Sequence, residues 1–201
     1  YDTFQPNRAT HHAGSTNLSA ALDHVSADLP DATDVWVLGA SAGGYGAQMQ
    51  AHQFRQTWPD ASLKILADGA PMIQPGEYRW SLWKQAWNPS LPPDCVDCDT
   101  SFRAILSTQA AAMPDTRFGL ATFTEDTVIT LYFAQPIGQL NTAQSALIRD
   151  LYGAHNLSVF RVTGTDHVMS VAPGAYAAAD GTVFREWYWE WAGDGVLEDV
   201  P

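Results

Sequence analysis

The stretch that most restricts how this chain can fold is "DVWVLGASAGGYGAQMQ", residues 34–50. A short, nearly all-apolar run leads straight into Gly39-Ala40-Ser41-Ala42-Gly43, then Gly44 and Gly46, and then a helical pattern. Apolar residues without strict alternation predict a buried strand of a parallel sheet. One glycine is enough for a tight turn, so four glycines and a serine within eight residues need a further cause. G-x-S-x-G between a strand and a helix supplies it: the serine is forced into a strained turn conformation that lifts Oγ off the end of the sheet. Small residues two before and two after Ser41 are then expected, because strand and helix backbones pass very close there. A dinucleotide fingerprint would need G-x-G-x-x-G and a phosphate-binding loop a lysine, and the stretch has neither.

The flanking sequence predicts an α/β protein with a mostly parallel sheet flanked by helices. "STNLSAALDHVSADL" places apolar residues at 18, 21, 22, 25 and 29, a helical spacing, with Ser15 or Thr16 as N-cap. "GGYGAQMQAHQFRQTW" reads as one helix and "SLKILADG" as a second buried strand, so residues 34–69 form a βαβ unit. Residues 71–101 are rich in Pro, Trp and Asn and follow no overall period, which predicts an excursion or lid. Helix, strand, helix and strand follow, with "LSVFRVTG" the last strand and "GTVFREWYWEWAGDG" a closing helix with a glycine stop. At 201 residues this makes a single domain over 1–201.

Composition enters as exclusion. The net charge is -12 with ten basic residues and no basic cluster, so phosphate backbones would be repelled and nucleic acid is not expected as a partner. No apolar run approaches the ~20 residues of a membrane span. Cys95 and Cys98 could be a local disulfide, half a zinc site or a redox pair. Further Cys or His at zinc spacing is missing, and two prolines precede the pair where a redox motif would follow a strand. A disulfide fits best, and with it an oxidising compartment: secreted, extracellular or periplasmic.

A serine nucleophile needs a base, and the base an acid that orients it. Of the histidines after Ser41, His52 lies about three turns along the following helix, and His155 sits at a helix-to-strand junction. His167 falls just after the last strand, where a base belongs. Asp126, after "RFGLATFTE", is the expected acid. Glu125 beside it, Asp68 at the end of the second strand and Asp166 beside the base are the alternatives. Ala42, first in the helix after the serine, supplies one oxyanion N–H.

With Ser41, Asp126 and His167 in place, the chain resembles the pectin acetylesterase/Notum family of serine carboxylesterases. The likeness runs through "THHAGSTNLSAALDHV", "VWVLGASAGGYGAQMQAHQFRQTWPDASLKILADGAP", "FTEDTVITLYF" and "TGTDHVM". It implies an α/β-hydrolase-like fold, a Ser41–His167–Asp126 triad, and hydrolysis of an acylated carbohydrate such as pectin, or of a fatty acyl ester, without metal or cofactor. A lipid or polyester substrate is the alternative with the same triad. Two departures stand out: Ala40 occupies a position that is Cys in plant members, and the family's N-terminal strands, with the Gly-rich loop of further oxyanion donors, have no counterpart in the sequence. The resemblance therefore implies an N-terminal companion chain, with a hydrophobic sheet edge for it to cover, or a non-catalytic subunit.

Trp80, Trp83 and Trp87 fall at helical spacing in the proposed lid and are candidates for lining a substrate cleft. Trp187, Trp189 and Trp191 lie in the closing helix, where two are expected to face the core. Adjacent His11 and His12 suit a polar loop better than a metal site. Asn17 and Asn156 open N-L-S triplets of the glycosylation type.

Overall fold

The computed structural model describes residues 12–76, 78–151 and 156–193. Four parallel strands lie in the order β1-β2-β3-β4: Asp34–Ala40, Ser62–Asp68, Arg117–Phe123 and Leu157–Val162. Each crossover carries helix, as parallel neighbours require. The fold is α/β, as the sequence predicts.

Side chains of β2, β3 and β4 alternate between two cores. Leu63 and Ile65 of β2, Phe118 and Leu120 of β3 and Val159 of β4 face the larger one. It is closed by α2 (Ala42–Met49), α5 (Ala104–Ala112) and α7 (Ile137–Leu151). Leu66, Ala121, Phe123, Phe160 and Val162 point the other way, against α8 (Phe184–Ala192). On α8, Trp187 and Trp191 are one turn apart and fully buried, while Trp189 faces outward at 62% exposure. The expected division of the three tryptophans follows from helical geometry.

Four local expectations are corrected. β1 is parallel but is one of the sheet's two edge strands, and Trp36 and Leu38 on one face are 42% and 51% exposed. Among the described residues no strand pairs with its outer side, so a run that reads as doubly buried is covered on one face only. The first helix, α1 (Gly14–Asp28), starts before Ser15 and Thr16, and neither caps it. It packs through Leu18 and Leu22 against Phe54 and Trp58.

The helix after Ser41 is two helices, α2 and α3 (Ala51–Thr57), broken at Gln50. The cause is a side chain from elsewhere. The amide of Gln109 on α5 donates to the carbonyls of Gln48 and Met49 and accepts the N–H of His52, so it occupies groups that a continuous ladder would pair.

The excursion is not a detached lid. It contains α4 (Arg79–Trp87), and its Met72, Ile73 and Trp80 are buried in the larger core. Cys95 and Cys98 are joined in a disulfide with Cα atoms 5.5 Å apart. The Cys98 carbonyl accepts the indole N–H of Trp80 at 2.8 Å. "TVITLYF", despite its β-branched residues, is helix α6 (Thr127–Phe133). Asp126 overrides the local propensity by capping its first turn. No helix of the described residues is long and apolar enough to cross a membrane.

Candidate active site

Ser41 stands between β1 and α2 with φ 53° and ψ −124°, a conformation that L-residues avoid. Its N–H donates to the Asp68 carbonyl at 2.8 Å, and its carbonyl accepts from Gly44 and Tyr45, so both sides of the turn are pinned. Crowding explains two of the glycines. A Cβ on Gly39 would lie 2.2 Å from the Gly43 carbonyl oxygen, and one on Gly44 would lie 2.7 Å from the Ala70 Cβ. The expectation fails at Gly43, where an added Cβ meets nothing within 4 Å. The close approach comes one residue later than the motif suggests.

The three residues expected to act together do meet. His167 Nε2 lies 2.7 Å from Ser41 Oγ, and His167 Nδ1 lies 2.7 Å from Asp126 Oδ2. Since an aspartate can only accept, Nδ1 carries the hydrogen and Nε2 is free to accept from the serine hydroxyl. Asp126 is fully buried. Its other oxygen, Oδ1, accepts the N–H groups of Val128 and Ile129 at 2.9 Å each, as the N-cap of α6. The carboxylate is thus held by a helix end on one side and aimed at the imidazole on the other.

His167 follows β4 on an irregular loop whose near side is tied to the turn between β3 and α6. Glu125 donates its N–H to the Gly164 carbonyl, and Thr127 donates its N–H and its hydroxyl to the Thr165 carbonyl. The alternative acids stand elsewhere. Glu125 is exposed, Asp166 bonds Tyr176, and Asp68 takes backbone amides of Met169 and Ser170. Ala42 opens α2, where the first N–H groups have no partner within the helix.

A groove of about 870 Å³ opens in front of Ser41. Trp83 and Trp87 stack with centroids 5.0 Å apart and line it, together with Phe133 and Tyr132 of α6, His12 and Ala13 ahead of α1, and Gly14, Ser15, Asn17 and Leu18 at its start. Trp80, one turn before Trp83 on α4, is 2% exposed and belongs to the core, which corrects its assignment to the cleft. Tyr45 also borders the groove, with its hydroxyl donating to the Pro71 carbonyl at 3.1 Å. Burial, reinforced by the Asp126 charge, raises this phenol well above its ordinary value, so it is a neutral donor and not a base.

Sequence reasoning missed the walls that α1 and α6 contribute, since neither helix carries a recognisable motif. His52 lies on α3, outside the groove's lining. Asn156 donates to the carbonyls of Ala110 and Met113, so its amide is already engaged. His11 and His155 lie outside the described residues. Among the described residues no three His, Cys, Asp or Glu side chains come together as a metal site. Compared with family models and with curated proteins, the chain matches none.

Proposed function

We propose that this chain is a serine carboxylic-ester hydrolase working through an acyl-enzyme. The observation that carries the reading is the unbroken chain Ser41 Oγ, His167 and Asp126, with both links at 2.7 Å. As the Oγ–carbonyl bond forms, the hydroxyl proton passes to His167 Nε2, and the Ala42 N–H faces the developing oxyanion. The carbonyl–alkoxy bond then breaks and the leaving alcohol takes the proton from Nε2. Water enters by the same route: its proton goes to Nε2, its oxygen to the carbonyl, and the acid leaves as Ser41 regains the proton. Asp126 keeps Nδ1–H in place and offsets the imidazolium charge; no cofactor or metal takes part in the scheme.

For the substrate we keep the reading that the family resemblance suggests, an acylated carbohydrate of the pectin type that loses acetyl groups. The Cys95–Cys98 disulfide suits action outside the reducing cytoplasm. The aromatic groove favours a second reading, a lipid or polyester ester with the same triad, because Trp83, Trp87 and Phe133 offer an apolar wall to a long acyl chain.

The test compares p-nitrophenyl acetate with a long-chain p-nitrophenyl ester, using the wild type and Ser41→Ala. Turnover of acetate that disappears in the variant is the expected result, with a fall of at least about 10³-fold. Preference for the long chain keeps the mechanism and selects the second substrate. Equal rates in wild type and variant overturn the reading.

A further inference from the structure

Asp68 ends β2 in register with Ala40, the residue before the nucleophile, and is 2% exposed. No ion pair neutralises it among the described residues. Its carboxylate instead receives backbone amides from the loop of the base. Met169 N–H lies 3.0 Å from Oδ1 and 2.9 Å from Oδ2, and Ser170 N–H lies 2.7 Å from Oδ2. These are the second and third residues after His167. The Asp68 carbonyl meanwhile accepts the Ser41 N–H at 2.8 Å.

Gly69 completes the bracket. Its φ is +65°, and a Cβ there would lie 2.3 Å from the His167 carbonyl oxygen. One dipeptide therefore touches the backbone of the nucleophile and that of the residues around the base.

Burying a carboxylate is costly, and a loop can be anchored by a neutral side chain. Charge-assisted bonds to amides are shorter and stiffer than neutral ones, which matters where an imidazole must stay within hydrogen-bond reach of two partners. The near side of the His167 loop is tied at Gly164 and Thr165; Asp68 ties the far side.

We propose that Asp68 is a positioning residue, which fixes His167 between Ser41 and Asp126 by clamping the amides of Met169 and Ser170 just beyond it. The proposal rests on the reading of His167 as the general base. It concerns geometry, since among the described residues the carboxylate on the ring is that of Asp126.

The experiment compares Asp68→Ala and Asp68→Asn with wild type on three readouts. They are ester turnover per site titrated with a fluorophosphonate, melting temperature, and the low-field proton resonance of His167 Nδ1–H. Asp68→Ala is expected to lose about 10²-fold in kcat per titrated site, the order of effect a small displacement of a reacting group produces. KM should stay within about twofold, because substrate binding is not the interaction removed. The resonance should broaden or vanish. Asp68→Asn should fall between, since a single carbonyl oxygen placed like Oδ2 can still accept both amides.

A variant that melts lower but keeps its kcat per titrated site and its resonance overturns the proposal, and so does a change confined to KM. If Asp68→Ala does not fold, Asp68→Asn carries the test by the same criteria. If wild type is neither labelled nor active, the esterase reading fails separately. The resonance then decides for Asp68: its loss in the variants supports the clamp and its persistence overturns it.

Discussion

Asp126 uses its two carboxylate oxygens for different tasks, one capping α6 and the other holding the His167 ring. The same residue type at Asp68 makes no contact with the ring and holds the backbone next to it. His52 shows how burial can outweigh polar neighbours in a side chain's behaviour. It is half-buried on α3, its Nδ1 has no hydrogen-bond partner among the described residues, and burial, only partly offset by Gln109 and the Met49 backbone, lowers its pKa from 6.5. The folded state therefore binds this proton less readily than the unfolded chain does. Stability from this group is intact above the unfolded value near 6.5 and falls as pH drops below it. His52→Gln should flatten that decline. Melting temperatures of the two proteins between about pH 8 and pH 5 check it, and parallel curves would show that His52 contributes nothing. At this scale the meeting of Ser41, His167 and Asp126 was legible because chain order and the ends of strands confine each of them to few positions. Asp68 was legible only as an acid at a strand end, since its partners Met169 and Ser170 lie about a hundred residues away in sequence.

At the scale of elements, the strands and most helices follow from local pattern. Their limits often follow from distant groups. Nothing between residues 42 and 57 announces a break at Gln50; the break is imposed by Gln109, some sixty residues on. This side chain closes the end of α2 and the start of α3 together. Gln109→Leu should leave the carbonyls of Gln48 and Met49 and the His52 N–H without their partner, and should cost about 1–3 kcal/mol of stability. Urea unfolding measures it directly, and an unchanged midpoint would mean that water replaces the amide at no loss. The short α6 teaches the same lesson in reverse. Its β-branched residues favour a strand, and the Asp126 cap together with burial of Ile129 and Phe133 makes it helix.

For the whole molecule, the pattern of apolar runs established a parallel sheet between helices but not which strand lies outermost. An edge strand and a central strand can share a composition, and only the sheet order separates them. β1 is one of the two edges, and Trp36 and Leu38 are exposed beside an outer rim to which no strand pairs among the described residues. Edges of this kind invite association. The Lys64 ammonium over the Trp36 ring at 5.1 Å covers part of that face. Trp36→Thr should lower concentration-dependent self-association in sedimentation velocity without shifting the melting temperature by more than a few degrees. Equal association of the two proteins would assign the contact to another surface.

The double duty of Asp126 also constrains how this groove can be redesigned. α6 forms a wall of the groove and is fastened at its first turn to the carboxylate that orients the base. The wall and the proposed proton relay are therefore one mechanical part. Trading Tyr132 or Phe133 for smaller or larger side chains can retune the groove's shape while the hinge point stays fixed. Moving the helix bodily would swing the relay with it. Variation in what the groove admits is thus channelled into side-chain exchange, and α4 shares that constraint, since its Trp83 packs on Phe133 with ring centroids 5.2 Å apart and its Arg79 donates to the Tyr132 carbonyl of α6.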